Sequence, residues 1–384
     1  MKCFRKVLIV LLSVVLAFTT AGCWNYKEVD DMAIVAGVAI DKNEEDGKLL
    51  LSVEYVDTRG GLQNTQEKSK IISLAGDTMF DIVRSLISIT GKKLFWSHAK
   101  AIIVSEEFAR EGLIRVIDWY SRDTETRSDV LIFVSKEKTA REILNQNSVT
   151  GSIISFDIAQ MMLDEQHIST APHVQIWDFI HTLETKGVST VAPLIYIHKK
   201  DGKKTVRSSG TAIFQRDKLV GDMTGEETKF IEFARDRVKG GVLPVGEENK
   251  TPIYSLEILS NKSKTKPVWV NGKLQMQIKT ETHTNLDEVM TSSGFITRQN
   301  ILEIQRLAEK MIETKILAVV HKAQKKYQSD IFGFGDAIHE DMPKTWNKLK
   351  DHWPQEFANM DVVVKSKVFI DSSAKTTRSI MEGD

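Results

Sequence analysis

Cysteine and proline are scarce in this chain. Of 384 residues, two are Cys and seven are Pro. So few prolines exclude a Pro-rich stalk. No charge of one sign prevails, because Lys+Arg 52 meets Asp+Glu 52. That balance argues against a dedicated nucleic-acid binder, which carries a basic excess. No apolar run reaches the roughly 18–20 residues that a spanning helix needs. The nine His form no HExxH and no pair at metal-ligand spacing, and there is no CxxC. A GxSxG elbow and a P-loop are missing too. Phe332-Gly333-Phe334-Gly335 is no dinucleotide fingerprint, because it has no third glycine and follows a helical pattern. It reads as a tight turn with buried aromatics, in which Gly333 and Gly335 are structural. These absences leave no nucleophile set, metal set or cofactor motif, and point to a chain that works by contact.

What is present suits a folded protein, with 41% hydrophobic and 27% charged residues. The length suggests two or three domains. The first residues read as a leader, not as part of the fold. Lys2, Arg5 and Lys6 form a basic start, and Val7 to Phe18 is apolar apart from Ser13. That run is the size of a signal-peptide core. Thr20-Ala21-Gly22-Cys23 then resembles a lipobox, with Thr20 where Leu is usual. On this reading residues 1–22 are removed and Cys23 receives a diacylglycerol. Two acyl chains anchor stably where one is marginal. The only other cysteine, Cys3, leaves with the leader, so the exported chain holds no disulfide and its stability comes from its cores.

The patterns beyond the leader predict an α+β (mixed α/β) protein of three domains, with mixed sheets and packed helices. An N-terminal α/β domain is expected over 23–198. Strands are expected at Ala33–Ile40 and Leu49–Val56. A helix capped by Asp77 follows, with Phe80, Val83, Leu86 and Ile87 on one face and its stop at Gly91. Next come a strand at Ala99–Val104, a helix over Glu106–Tyr120 and a strand at Val130–Val134. Thr139–Leu144, Ile154–Leu163 and Val174–Leu183 carry helical patterns. Asp201-Gly202 joins strands Leu194–His198 and Thr205–Phe214, and its lysine flanks mark a border. A small middle α+β domain, 199–250, holds the capping box of Thr224 and Glu227, with its helix ending at Gly240-Gly241. A C-terminal α+β domain, 251–384, starts with strands at Tyr254–Ser260, Val268–Val270 and Leu274–Thr282. A long helix from Asn300 to about Tyr327 then packs against a sheet, and Val362–Ile370 is the last strand.

Several segments together resemble one family. Cys23-Trp24-Asn25-Tyr26-Lys27-Glu28-Val29-Asp30-Asp31-Met32-Ala33, Ser97-His98-Ala99-Lys100 and Arg122-Asp123-Thr124-Glu125-Thr126-Arg127 are three of them. Gly210–Phe214, Lys218–Gly221, Thr224–Glu227 and Asp330–Gly335 are the others. In this order they resemble the C subunits of bacterial spore germinant receptors, the Ger(x)C lipoproteins. The polar end, Ser372–Asp384, departs from the family pattern. The resemblance implies a palmitoylated, diacylglyceryl-Cys23 lipoprotein on the outer face of the spore inner membrane. It implies two integral membrane subunits as partners in a nutrient receptor, no enzymatic activity and no cofactor. A solute-binding lipoprotein that captures a nutrient between two lobes is the alternative.

Contact residues are expected in two places. Trp24, Glu28 and Asp31 follow the anchor, within about 30 Å of Cys23 even if the chain is extended. Arg122, Asp123, Glu125 and Arg127 form a charged loop, either a docking site or a solvated, helix-capping turn. His98, just before a buried strand, reads as structural.

Overall fold

The computed structural model describes residues 4–6, 32–57, 69–150, 153–247, 251, 253–290 and 297–372. Cys23, Trp24, Glu28 and Asp31 lie outside the described residues, as do 373–384. The fold class is α+β, as expected, with helices packed on two mixed sheets.

The larger sheet has nine strands in the order β3-β2-β1-β5-β6-β7-β8-β9, with β4 added beside β1. These are β1 Met32–Lys42, β2 Leu49–Asp57, β3 Lys70–Gly76, β4 Lys93–Phe95, β5 Ala101–Ser105, β6 Leu131–Ser135, β7 Val191–Lys200, β8 Lys203–Gln215 and β9 Lys218–Met223. The centre, β1-β5-β6-β7, is parallel, and the flanks are antiparallel hairpins. β5 and β6 are buried along their whole length. That is why they read as continuous apolar runs, since a central parallel strand is covered on both faces. Their residues alternate between two cores. Ile102, Val104, Ile132 and Val134 enter the main one, while Ala101, Ile103, Leu131 and Phe133 enter a second on the other face.

On the main-core side lie α1 Met79–Thr90, α2 Glu106–Glu111, α3 Ile114–Arg122 and α5 Ile176–Glu184. On the other side lies α4 Ile154–Asp164. Three local expectations are corrected here. Thr78, not Asp77, caps α1. Phe80 is 52% exposed, with Arg84 over its ring, and the buried stripe is Met79, Ile82, Val83 and Leu86. The expected single helix Glu106–Tyr120 breaks at Gly112, whose φ of +125° suits only glycine. There Asp217 accepts from Leu113 N–H through its carbonyl and from Ile114 N–H through its carboxylate, capping α3.

The hairpin at Asp201-Gly202 links β7 and β8 as neighbours in this one sheet. The border expected at 198/199 therefore lies inside β7, near its turn into β8. The capping box of Thr224 and Glu227 opens α6 Gly225–Ala234, and this helix ends at Arg235, before Gly240-Gly241.

The second sheet runs β10-β11-β12-β13: Val242–Val245, Tyr254–Val270, Lys273–Val289 and Asp361–Ser372. The two short strands expected before residue 271 are one strand of 17 residues. Asn271 and Gly272, with φ of +49° and +75°, make its tight turn into β12. The long helix α7, Arg298–Lys322, starts on a capping box of Thr297 and Asn300 and passes into a π-turn reaching Tyr327. It runs along the outer edge of β13. Glu309 and Glu313 accept from Val368 N–H and Ser366 N–H, and Gln305 donates to Val368 C=O. These side chains satisfy a strand edge that would otherwise stand open. Three short helices lead from α7 to β13, α8 Phe334–Asp341, α9 Pro343–Leu349 and α10 Trp353–Asn359. One apolar core runs without a gap from the large sheet through α6 into the second sheet and α7.

Candidate functional site

The motif-bearing segments come together at two places. The first is the charged loop after α3. Ser97 Oγ donates to Glu125 C=O at 2.9 Å, so two of the segments meet directly. Asp123 accepts from Glu125 N–H at 2.8 Å, and Thr126 Oγ1 donates to the carbonyls of Tyr120 and Asp123. The ions pair locally. Arg122 reaches back to Asp118 at 2.8 Å on its own helix. Arg127 grips Asp129 with two bonds of 2.8 and 2.6 Å, which holds the Arg127 guanidinium up and the Asp129 carboxyl down from their ordinary values. Glu125 pairs with Lys93. The loop is thus a stapled turn whose arginines face outward, and Arg122 and Asp123 line a surface groove of about 610 Å³ with Phe80, Arg84 and Arg115. His98 is exposed, with its ring against Phe95 at 5.5 Å.

The second place is the joint between the two sheets. Asp330 is 3% exposed and is the centre of a knot. Its carboxylate accepts from Phe332 N–H, Gly333 N–H, Gly335 N–H and Trp353 Nε1–H at 2.8–3.2 Å. Its own carbonyl accepts from Ser189 N–H at 2.7 Å, tying the knot to the segment that leads into β7. Burial pushes the Asp330 carboxyl up to about 6, against the pull of these donors. All four partners are donors, which requires the ionised form at neutral pH. Phe332 and Phe334 are buried and stacked at 5.4 Å. Gly333 sits at φ +76°, as a tight turn demands. Gly335 has no positive φ. It is glycine because a Cβ there would meet the Gly187 carbonyl oxygen at 2.5 Å.

The middle segments reach the same joint. A Cβ at Gly221 would strike the Tyr327 ring at 2.1 Å, and Tyr327 Oη donates to Asp222 C=O at 2.6 Å. Glu226 and Glu227, in the first turn of α6, pair with Lys315 and Lys322 of α7. Asp330 and Gly187 carry this joint. Asp330 opens one of the quoted segments and binds it locally, but its distant partners Ser189 and Trp353, and the Gly187–Gly335 approach, leave no mark in the local sequence.

The largest groove described, about 730 Å³, lies between α6, β10 and α7. Phe230, Leu243, Leu307 and Met311 line it. Its flanking cations are engaged, with Lys229 Nζ on Val242 C=O at 2.7 Å and Lys315 on Glu226 at 2.7 Å. No cluster of metal-ligating side chains occurs among the described residues. None of the described helices is long and apolar enough to cross a membrane.

Two mixed sheets, one shared core and a joint built by the motif segments define a two-part α+β scaffold. Two family models match this scaffold in series. "Spore germination protein N-terminal domain" matches residues 25–197, and "Spore germination B3/ GerAC like, C-terminal" matches residues 209–374. The chain belongs to the Ger(x)C family of spore germination proteins. It is 26% identical to spore germination protein KC of Bacillus subtilis (strain 168), over 95% of each chain. It is 25% identical to spore germination protein B3 of the same organism, over 88% of this chain and 91% of that one. The crystal structure of the GerBC protein has the same fold, with a TM-score of 0.55 and 21% identity, covering 90% of this chain and all of that one.

Proposed function

We propose that this protein is a non-enzymatic, lipid-anchored subunit of a spore germinant receptor, held at the outer face of the spore inner membrane by Cys23. It acts by contact with two integral membrane subunits. The observation that carries this reading is the run of two germination-family matches in series over residues 25–197 and 209–374. The motif segments inside those matches build joints, which suits a protein that presents a rigid surface. Capture of a nutrient by this chain would use the groove between α6, β10 and α7. That alternative is weaker, because the cations beside the groove are already engaged and the continuous core offers no hinge between lobes.

Anchoring has a direct test. Labelled lipid should enter the wild-type chain and not Cys23→Ala. Equal incorporation in both would remove Cys23 as the anchor. Partner contact is tested at the charged loop. Arg122→Glu with Arg127→Glu exchanges two exposed, locally paired cations, and exposed pairs of this kind contribute little, so the fold should hold. The variant is expected to reach the membrane and yet fail to co-purify with the integral subunits or to support nutrient germination. A variant that assembles and germinates normally would leave Trp24, Glu28 and Asp31 as the candidate contacts.

A further inference from the structure

The outer face of the second sheet carries a grid of lysines. Register places Lys264 opposite Lys279 and Lys279 opposite Lys365, so three ammonium groups share one row across β11, β12 and β13. One step along, Lys262 and Lys367 flank Glu281, and Lys266 lies beside Gln277. All six lysines are exposed, and none forms an ion pair among the described residues. Carboxylates on this face do not neutralise them. Glu281 and Asp371 turn to His283, at 3.7 and 3.1 Å, and Asp361, opposite Gln275, lies one row beyond Lys266 and Gln277 toward the tip. The opposite face of the same strands packs on the core, with Met276, Ile278, Val364 and Val368 buried.

Strands lie about 4.8 Å apart, and like charges directly opposite each other destabilise a sheet. A chain of zero net charge that concentrates lysines in register is giving up stability there. Beyond the grid, the β11–β12 tip exposes Val270 at 40% on this face, while Trp269, paired with Leu274, alternates to the other face. We infer that this lysine face is a docking surface for an anionic lipid surface, with the lysines on headgroup phosphates.

The chemistry favours lipid over an acidic protein. All six cations are Lys, which protein interfaces deplete in favour of Arg. Clustered lysines beside a membrane bind anionic lipid. A flat sheet face matches a plane, and none of the grooves described above opens on it. The surface would fix how an anchored chain stands on the membrane, and in this it rests on the membrane placement proposed above.

Amine acylation of the full chain, read lysine by lysine by mass spectrometry, tests this. The chain is bound to vesicles of phosphatidylcholine alone or of equal phosphatidylglycerol and phosphatidylcholine. Lys264, Lys279 and Lys365 are expected to react several-fold more slowly on the anionic vesicles. The difference should vanish in 1 M salt, where the screening length falls to about 3 Å. Lys344 and Lys348, exposed on α9, should react alike on both. Both vesicles hold the chain through Cys23, so failed anchoring shows as no binding to phosphatidylcholine, while a lipid-binding face still holds the anionic vesicles. Binding to both with equal lysine reactivity overturns the inference, and so does binding to neither. Protection in native spore membranes but not on protein-free anionic vesicles would assign the face to an acidic protein and also overturns it. The variant Lys264→Gln, Lys279→Gln, Lys365→Gln should lose affinity for anionic vesicles by about fivefold per lysine. With like-charge repulsion removed, it should melt no lower than wild type. A variant that binds anionic vesicles as wild type does would sink the proposal.

Discussion

Asp330→Ala is expected to lower the folding stability by about 3–5 kcal/mol, the largest loss from any single polar side chain described here. The carboxylate satisfies Phe332, Gly333 and Gly335 N–H and Trp353 Nε1–H at once. Removing it orphans buried donors in a place that four apolar rings close off, Phe332, Phe334, Trp353 and Phe357. The measurement is denaturant unfolding of the purified chain beside wild type. A loss under about 1 kcal/mol, the usual scale of one ordinary hydrogen bond, would show that the knot is not what holds the joint.

The same group gives a pH dependence of definite sign. Burial places the Asp330 carboxyl at about 6, above its ordinary 3.8, so the folded state binds this proton more tightly than the unfolded chain does. Its contribution to stability is therefore greatest below pH 4 and falls as pH rises from about 4 to about 6. Above that it is flat. The full excursion is about 3 kcal/mol. Burial also raises Asp41, Glu165 and Glu232, which slope in the same direction, so the test is a difference. Asp330→Asn cannot titrate. Its stability relative to wild type should rise between pH 4 and 6 and stay level above. A difference that is constant across that window removes Asp330 from the pH response.

Where burial alone decides structure, the sequence was easy to read. β5 and β6 are covered on both faces, and their apolar runs say so. The capping box at Thr224 and Glu227 is a local bond pattern and lies where its spacing puts it. Phe80 was misplaced because periodicity weighs a residue by its type, while the chain turns it outward under Arg84. The long strand β11 was divided because Lys262, Lys264 and Lys266 interrupt its apolar pattern. Yet they alternate with Asn261, Ser263 and Thr265 in a period of two, which is itself a strand signal. The charged loop was read from its composition, and its geometry then divided it. Arg122 and Arg127 face solvent, while the Asp123 and Glu125 side chains bind neighbours on and beside the loop. The joint was the least legible part. Gly187, Ser189, Asp330 and Trp353 touch only after the whole chain has folded, and no spacing between them carries that information.

Glycine substitutions at the joint should separate two roles that look alike in the sequence. A Cβ at Gly333 meets nothing within 4 Å, so Gly333→Ala suffers only the backbone strain of φ +76°, about 1–2 kcal/mol. Gly335 is different. Its Cβ would lie 2.5 Å from the Gly187 carbonyl oxygen and 2.7 Å from the Gly187 Cα, both backbone atoms that cannot rotate away. Gly187 cannot retreat, because its own free side is filled by Trp346, 2.4 Å from where a Cβ would stand. Gly335→Ala must therefore push the 187–189 segment off the knot and stretch the Ser189 N–H bond to Asp330 C=O. Overpacking a rigid contact costs about 1–3 kcal/mol, and the strained hydrogen bonds of the knot add to it. Gly335→Ala should thus melt several degrees below Gly333→Ala, and Gly335→Val lower still. The larger loss should appear in the cooperativity between the two sheets, read as a separate unfolding step for each. Equal melting of the two alanine variants would mean that the Gly187–Gly335 approach is relaxed in solution. Unchanged melting with loss of nutrient germination would instead make this turn a surface that a partner touches.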